Sequence, residues 1–178
     1  MITNKNLILK RQICQDIINV IKSGEANLVN NSYILTNEPD VSKLNLGNCK
    51  VCALGSILLS YLIKTGKSLR EESMGIRNTK EYNLYYTPMQ DIPKILKGMF
   101  TEEELNEIEV AYEGSDVNDY YFEKDYSGKY KTKNYNEKDG QPQGKLAKLE
   151  HYKSQFNSNE EILTGIMNNI IENGRFKV

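Results

Sequence analysis

With 178 residues, 39% hydrophobic and 26% charged, the chain is long enough for one core or at most two small ones and too apolar to remain disordered. Lys and Arg number 23 against 24 Asp and Glu, a formal net charge of -1, which excludes a sequence-independent nucleic-acid binder that works by neutralising phosphates. Three Cys, one His, no apolar run of about 18 residues and no signal-peptide pattern lead to the expectation of a reduced cytoplasmic protein with neither a disulfide framework nor a membrane span.

The first predicted element runs from about Asn4 to Lys22. Ile13, Ile17 and Ile21 recur every four residues, and Cys14 and Ile18 widen the stripe, which gives an amphipathic helix. Thr3 suits its N-cap and Gly24 its left-handed stop. Asn31 to Thr36 is strand-like and runs into the turn formers Asn37, Glu38, Pro39 and Asp40, so one arm of a small hairpin is expected there.

Cys49 to Ile63 is the most hydrophobic stretch, apolar all round yet too short to span a bilayer, and reads as a buried central helix with Asn48 as N-cap and Gly66 as stop. Gly55 and Ser56 lie inside it, and Gly costs about 1 kcal/mol relative to Ala in a helix. Such a cost implies close approach by another backbone or by a ligand.

A polar stretch from Lys67 to Lys80 leads into Tyr82, Tyr85 and Tyr86, and a short helix is predicted from Pro88 to Lys97. Thr101 and Glu104 form a capping-box pattern ahead of Leu105, Ile108 and Tyr112, with Gly114 as terminator. From 115 to 144 Tyr, Lys, Asp, Asn and Gly dominate, a composition that predicts a polar loop or hairpin with no core of its own. A polar helix is expected from Lys145 to Phe156. The last helix starts at a second capping box, Ser158 and Glu161, carries Ile162, Ile166, Met167, Ile170 and Ile171 on one face and stops at Gly174, ahead of an extended tail.

The fold expected from these elements is mainly α, a single domain over residues 1–178 around the Cys49–Ile63 helix, with at most a small β-hairpin. No metal and no cofactor is expected. Cys49-Lys-Val-Cys52 lacks the second ligand pair that zinc requires, since only Cys14 and His151 remain as further Cys or His donors. Cys49 at a helix start with a distant His151 is a hydrolase-like pairing, but His151 stands in the polar run Leu149 to Lys153, where a solvated imidazole is the simpler reading. Glu102, Glu103 and Glu104 fit helix capping better than acid–base work.

Binding features are richer. Twelve Tyr supply stacking area with polar tips, and of four Arg, Arg70 and Arg77 precede the Tyr cluster. The expected ligand site combines Asn48, Cys49 and Lys50 at the helix N-terminus facing a phosphate, Arg70 or Arg77 as a charge-assisted fork, and Tyr85 or Tyr86 as a stacking surface.

Asn48-Cys-Lys-Val-Cys-Ala-Leu-Gly-Ser56, Phe100 to Gly114 and Ile166 to Lys177 together resemble small phage and prophage proteins of uncharacterised function with a Cys-Ala-x-Gly-Ser helix and an Asn-Ile-Ile-x-Asn-Gly ending. The resemblance implies a viral or mobile-element protein acting in the bacterial cytoplasm. By analogy with viral sponge proteins, the expectation is a homo-oligomer that sequesters a small nucleotide-derived immune signal, a cyclic nucleotide or an ADP-ribose derivative, without cleaving it. The alternatives are a protein that binds and blocks a host protein, and a hydrolase using Cys49 and His151.

Overall fold

The computed structural model describes residues 3–30, 33–36, 43–67, 75–78, 83–86, 92–114, 120–124, 130–134 and 142–178. In chain order the elements are α1 (Asn4–Lys22), β1 (Asn27–Leu28), β2 (Ile34–Thr36), β3 (Lys50–Val51), α2 (Ala53–Thr65), β4 (Gly75–Asn78), β5 (Asn83–Tyr86), α3 (Ile92–Ile95), α4 (Glu102–Glu113), β6 (Tyr120–Lys124), β7 (Tyr130–Asn134), α5 (Pro142–Ser154) and α6 (Asn159–Asn173). The fold is mainly helical, as the apolar periodicities predict. Its β part exceeds one hairpin: a five-stranded sheet in the order β1-β3-β2-β5-β4 stands beside the β6-β7 pair.

Local signals place most helix ends. The Thr3 hydroxyl accepts from the Asn6 amide at 3.2 Å, and Gly24 has φ 73° just past the end of α1. Ile13, Cys14, Ile17 and Ile18 are buried between α2 and α6. The Ser158 hydroxyl accepts from the Glu161 amide, and the Glu161 carboxylate accepts from the amide of Asn157, one residue before the cap. That is a capping box shifted by one position. The predicted helix from Pro88 is only the four residues of α3, with Pro93 in its first turn, and Pro88 itself lies outside the described residues. The strands β6 and β7 pair antiparallel in the polar 115–144 stretch, and α5 begins at Pro142, ahead of the expected Lys145.

The central helix starts four residues later than its hydrophobicity suggests. Lys50 and Val51 form β3, which pairs in parallel with β1 and antiparallel with β2, and Cys52 rather than Asn48 is the N-cap of α2. Val51 is β-branched and 1% exposed, and as β3 its backbone is paired on both sides. A first helical turn would leave its amides without partners. Residues 51–60 are all buried, and Gly66, at φ 68°, ends the helix as expected.

The Gly55 expectation resolves in favour of backbone. A Cβ built there would stand 1.6 Å from the carbonyl oxygen of Tyr33, so only a hydrogen at this position lets α2 lie against the chain entering β2. The expected hairpin arm β2 is an interior strand, paired with β3 on one side and β5 on the other. Its partners lie far along the chain, so no local turn signal marks them.

The second capping expectation holds in half. Thr101 accepts from the Glu104 amide at 3.1 Å, but the Glu104 carboxylate does not reach back to the cap. Both of its oxygens accept from Lys10 Nζ at 2.7 Å, and Oε1 also accepts from the Phe176 amide at 2.8 Å. Lys10 is 0% exposed and its ammonium lies 4.2 Å from the centre of the Phe100 ring. The tail after α6 is extended but docked. Phe176 is fully buried edge-on to Tyr152, and Asn169 holds both backbone groups of Lys177 at 2.8 and 2.9 Å.

Removing one partner of a buried ion pair leaves the other charge uncompensated, typically at about 3–5 kcal/mol. Lys10→Ala should lower the unfolding free energy by about that amount, read as a fall in the urea midpoint with an unchanged slope. Gly55→Ala should be more severe and abolish the cooperative transition, because backbone on both sides of the contact would have to move.

Candidate functional site

The loop before β3 is closed by two asparagines. Asn48 Oδ1 accepts from the Asn45 amide at 2.8 Å and Asn48 Nδ2 donates to the Lys43 carbonyl at 2.8 Å, while Asn45 Oδ1 accepts from the Gly47 and Asn48 amides. These bonds satisfy the loop backbone internally, the usual role of Asn in turns. The expected phosphate site at a helix N-terminus formed by Asn48, Cys49 and Lys50 is therefore corrected: the helix end is elsewhere, Asn48 serves the loop, and Cys49 is 1% exposed with its thiol donating to Asn48 Oδ1 at 3.4 Å.

Lys50 has a different setting. It is exposed on β3, and the sheet register carries it across to another expected site residue. Asn27 pairs with Lys50, Lys50 with Leu35, Leu35 with Leu84, and Leu84 with Arg77. Residues paired directly across strands share a face, so Asn27, Lys50, Leu35, Leu84 and Arg77 form one row of the sheet, with Leu35 and Leu84 between Lys50 and Arg77. Tyr86, two residues from Leu84 on β5 and opposite Gly75, belongs to the same face.

The neighbouring row is Leu28, Val51, Ile34, Tyr85 and Ile76. Val51 and Ile34 in it are 1% and 0% exposed, which identifies this as the core side, against α2. Tyr85 and Tyr86, the two alternatives for the stacking surface, thus belong to opposite faces of the sheet by register. Arg70 and Tyr82 lie outside the described residues. The structure brings Lys50, Arg77 and Tyr86 to one face and separates Asn48, Cys49 and Tyr85 from them.

Cys49, the nucleophile of the Cys49–His151 hydrolase alternative, is buried, while His151 is exposed near the end of α5. Burial pushes the Cys14 and Cys52 thiols up to about 12, so neither is a thiolate near neutrality. Among the described residues no group of three or more His, Cys, Asp or Glu is placed to hold a metal ion.

One cleft escaped sequence reasoning. An open depression of about 590 Å³ lies where α4 ends and α6 begins, lined in part by Glu113, Glu150, Lys153, Asn157 and Asn159. Its cation is engaged, because Lys153 Nζ donates to the Glu113 carbonyl at 2.6 Å and so caps the C-terminal end of α4. The two helix ends are legible in sequence, but their juxtaposition is not.

Comparison with protein-family models, with curated proteins and with solved structures finds no match.

Burial of all three thiols has a direct chemical consequence. In the folded protein at pH 8 a disulfide-exchange reagent should label fewer than one thiol per chain on the timescale that labels all three in urea. Rapid labelling of Cys49 in the native protein would show that the loop opens and restore it as a candidate nucleophile.

Proposed function

We propose that this protein binds and sequesters a small nucleotide-derived anion without altering it, on the face of the sheet that carries Lys50, Arg77 and Tyr86. The observation that carries this reading is the register row, which places two basic residues at the ends of an apolar strip on the side turned away from the core. Basic groups engage phosphate through charge-assisted hydrogen bonds, and an aromatic ring offers a sequence-tolerant stacking surface for a base. Burial of Cys14, Cys49 and Cys52 favours binding over thiol chemistry. The resemblance to phage proteins supports a signal of bacterial defence as the ligand and the host cytoplasm as the place of action.

The test is to incubate the purified protein with cyclic nucleotides and ADP-ribose derivatives, remove unbound material, release the ligand by heat and identify it by chromatography. The expected result is retention of one compound, returned chemically unchanged. Arg77→Ala should weaken retention by roughly 10- to 150-fold, the equivalent of one lost charge-assisted contact, with an unchanged circular dichroism spectrum. No retention at micromolar concentration removes the reading in favour of host-protein blocking, and a ligand returned altered makes the protein an enzyme.

A further inference from the structure

Asn173, the last residue of α6, is the only asparagine in the chain that a glycine follows. That pair has a chemistry of its own. The backbone nitrogen after an asparagine can attack the asparagine's side-chain Cγ, and Gly174, with no Cβ, leaves the approach unhindered. Asn173 is exposed, so water reaches its carboxamide.

The fold opposes the attack at the same place. The Gly174 amide donates to the Ile170 carbonyl at 2.8 Å, and Gly174 closes α6 with a φ of 74°. Its nitrogen reaches Cγ only when that bond opens and Asn173 leaves its helical backbone conformation. Asn173 Nδ2 donates to the Asn169 carbonyl at 3.0 Å and lies 3.5 Å from Asn169 Oδ1. Asn169 in turn holds both backbone groups of Lys177, and the Phe176 amide donates to Glu104. One side chain, Asn169, thus joins the reactive pair to the docked tail.

We propose that Asn173-Gly174 is a site of spontaneous deamidation, gated by the docked tail, and that its conversion releases the tail irreversibly. In the open cap the Gly174 nitrogen gives its proton to hydroxide and bonds to Asn173 Cγ. The Cγ–Nδ2 bond then breaks, and Nδ2 departs as ammonia with a proton taken from water, leaving a cyclic imide. Water opens the imide at either carbonyl, giving an aspartyl or an isoaspartyl residue. The aspartyl product turns carboxylate oxygens toward the Asn169 carbonyl where Nδ2 donated, and adds negative charge at the negative end of the α6 dipole. The isoaspartyl product also loses the donor. It lengthens the main chain by one methylene ahead of Gly174, which displaces Phe176 and Lys177 from Glu104 and Asn169.

The test incubates the full chain at pH 8, folded and in urea, and follows the C-terminal peptide by mass spectrometry with isoaspartyl forms resolved by chromatography. The folded chain should convert at Asn173 at least about tenfold more slowly than the unfolded one, because only the locally open state reacts. Asn169→Ala should keep the wild-type circular dichroism spectrum and convert about fivefold faster, the equivalent of one neutral hydrogen bond. Asn173→Ala should not convert. Amide hydrogen exchange then reads the tail: Phe176 and Lys177 should exchange at least about fivefold faster in aged protein and in Asn173→Asp than in fresh wild type, with the amides of α1 unchanged. A folded chain that shows no conversion over weeks overturns the site. Equal rates folded and unfolded, or an unchanged rate in Asn169→Ala, overturn the gating. Unchanged exchange at Phe176 and Lys177 in both aged protein and Asn173→Asp overturns the release.

Discussion

The buried pair Lys10–Glu104 ties together three parts of the chain. Lys10 comes from the middle of α1, Glu104 from the first turn of α4, and the Phe176 amide from the segment after α6. Burial pulls the Lys10 ammonium below its ordinary pKa, and the Glu104 charge and hydrogen bond oppose that pull. The ammonium is retained in the interior because two carboxylate oxygens and the Phe100 ring surround it. A hydrophobic pair of equal volume would cost less desolvation, but it would accept no hydrogen bond from the Phe176 amide. The carboxylate therefore does two things at once: it neutralises Lys10 and satisfies the backbone of the docked tail. Asn169, holding Lys177 one residue further on, completes the attachment to α6.

A second constraint sets the sheet against the helices. With Gly55 of α2 in van der Waals reach of the Tyr33 carbonyl, β2 is held close to α2, and Ile34 and Val51 are fully covered. Period-two alternation then dictates the rest. Once Ile34 faces the core, Leu35 belongs to the outer face, and each paired strand inherits the same division. Lys50, Leu84 and Arg77 are placed on the outer face by a contact that involves none of them. The candidate site thus follows from core packing through strand register.

Part of that site was legible in composition. Lys50, Arg77 and Tyr86 belong to the basic and aromatic inventory that stands out in a chain with four Arg and twelve Tyr. Their arrangement was not legible, because it depends on which of two neighbouring tyrosines shares a face with Arg77, and a shift of one residue in register would exchange Tyr85 for Tyr86. Asn48 and Cys49 were drawn into the expected site by the apolar run that follows them. Hydropathy does not distinguish a strand that enters a helix from the helix itself when both are buried.

The sequence by itself determined the helices and most of their ends: α1 with Thr3, α4 with Thr101 and Gly114, and α6 with Ser158 and Gly174. Those features rest on hydrogen bonds and side-chain stripes that span three or four residues, so local pattern contains the whole interaction. It also flagged Gly55 as a point of close approach without saying to what. Only the tertiary structure decided that Lys50 and Val51 leave the helix for the sheet, that β2 lies between β3 and β5, and that Glu104 answers Lys10 instead of its own cap. Each of these depends on a partner distant in sequence, ninety-four residues away for Lys10 and Glu104. A buried charge or a strand edge is stabilised by whatever group the fold brings to it, and that group leaves no mark on the residues nearby in the chain.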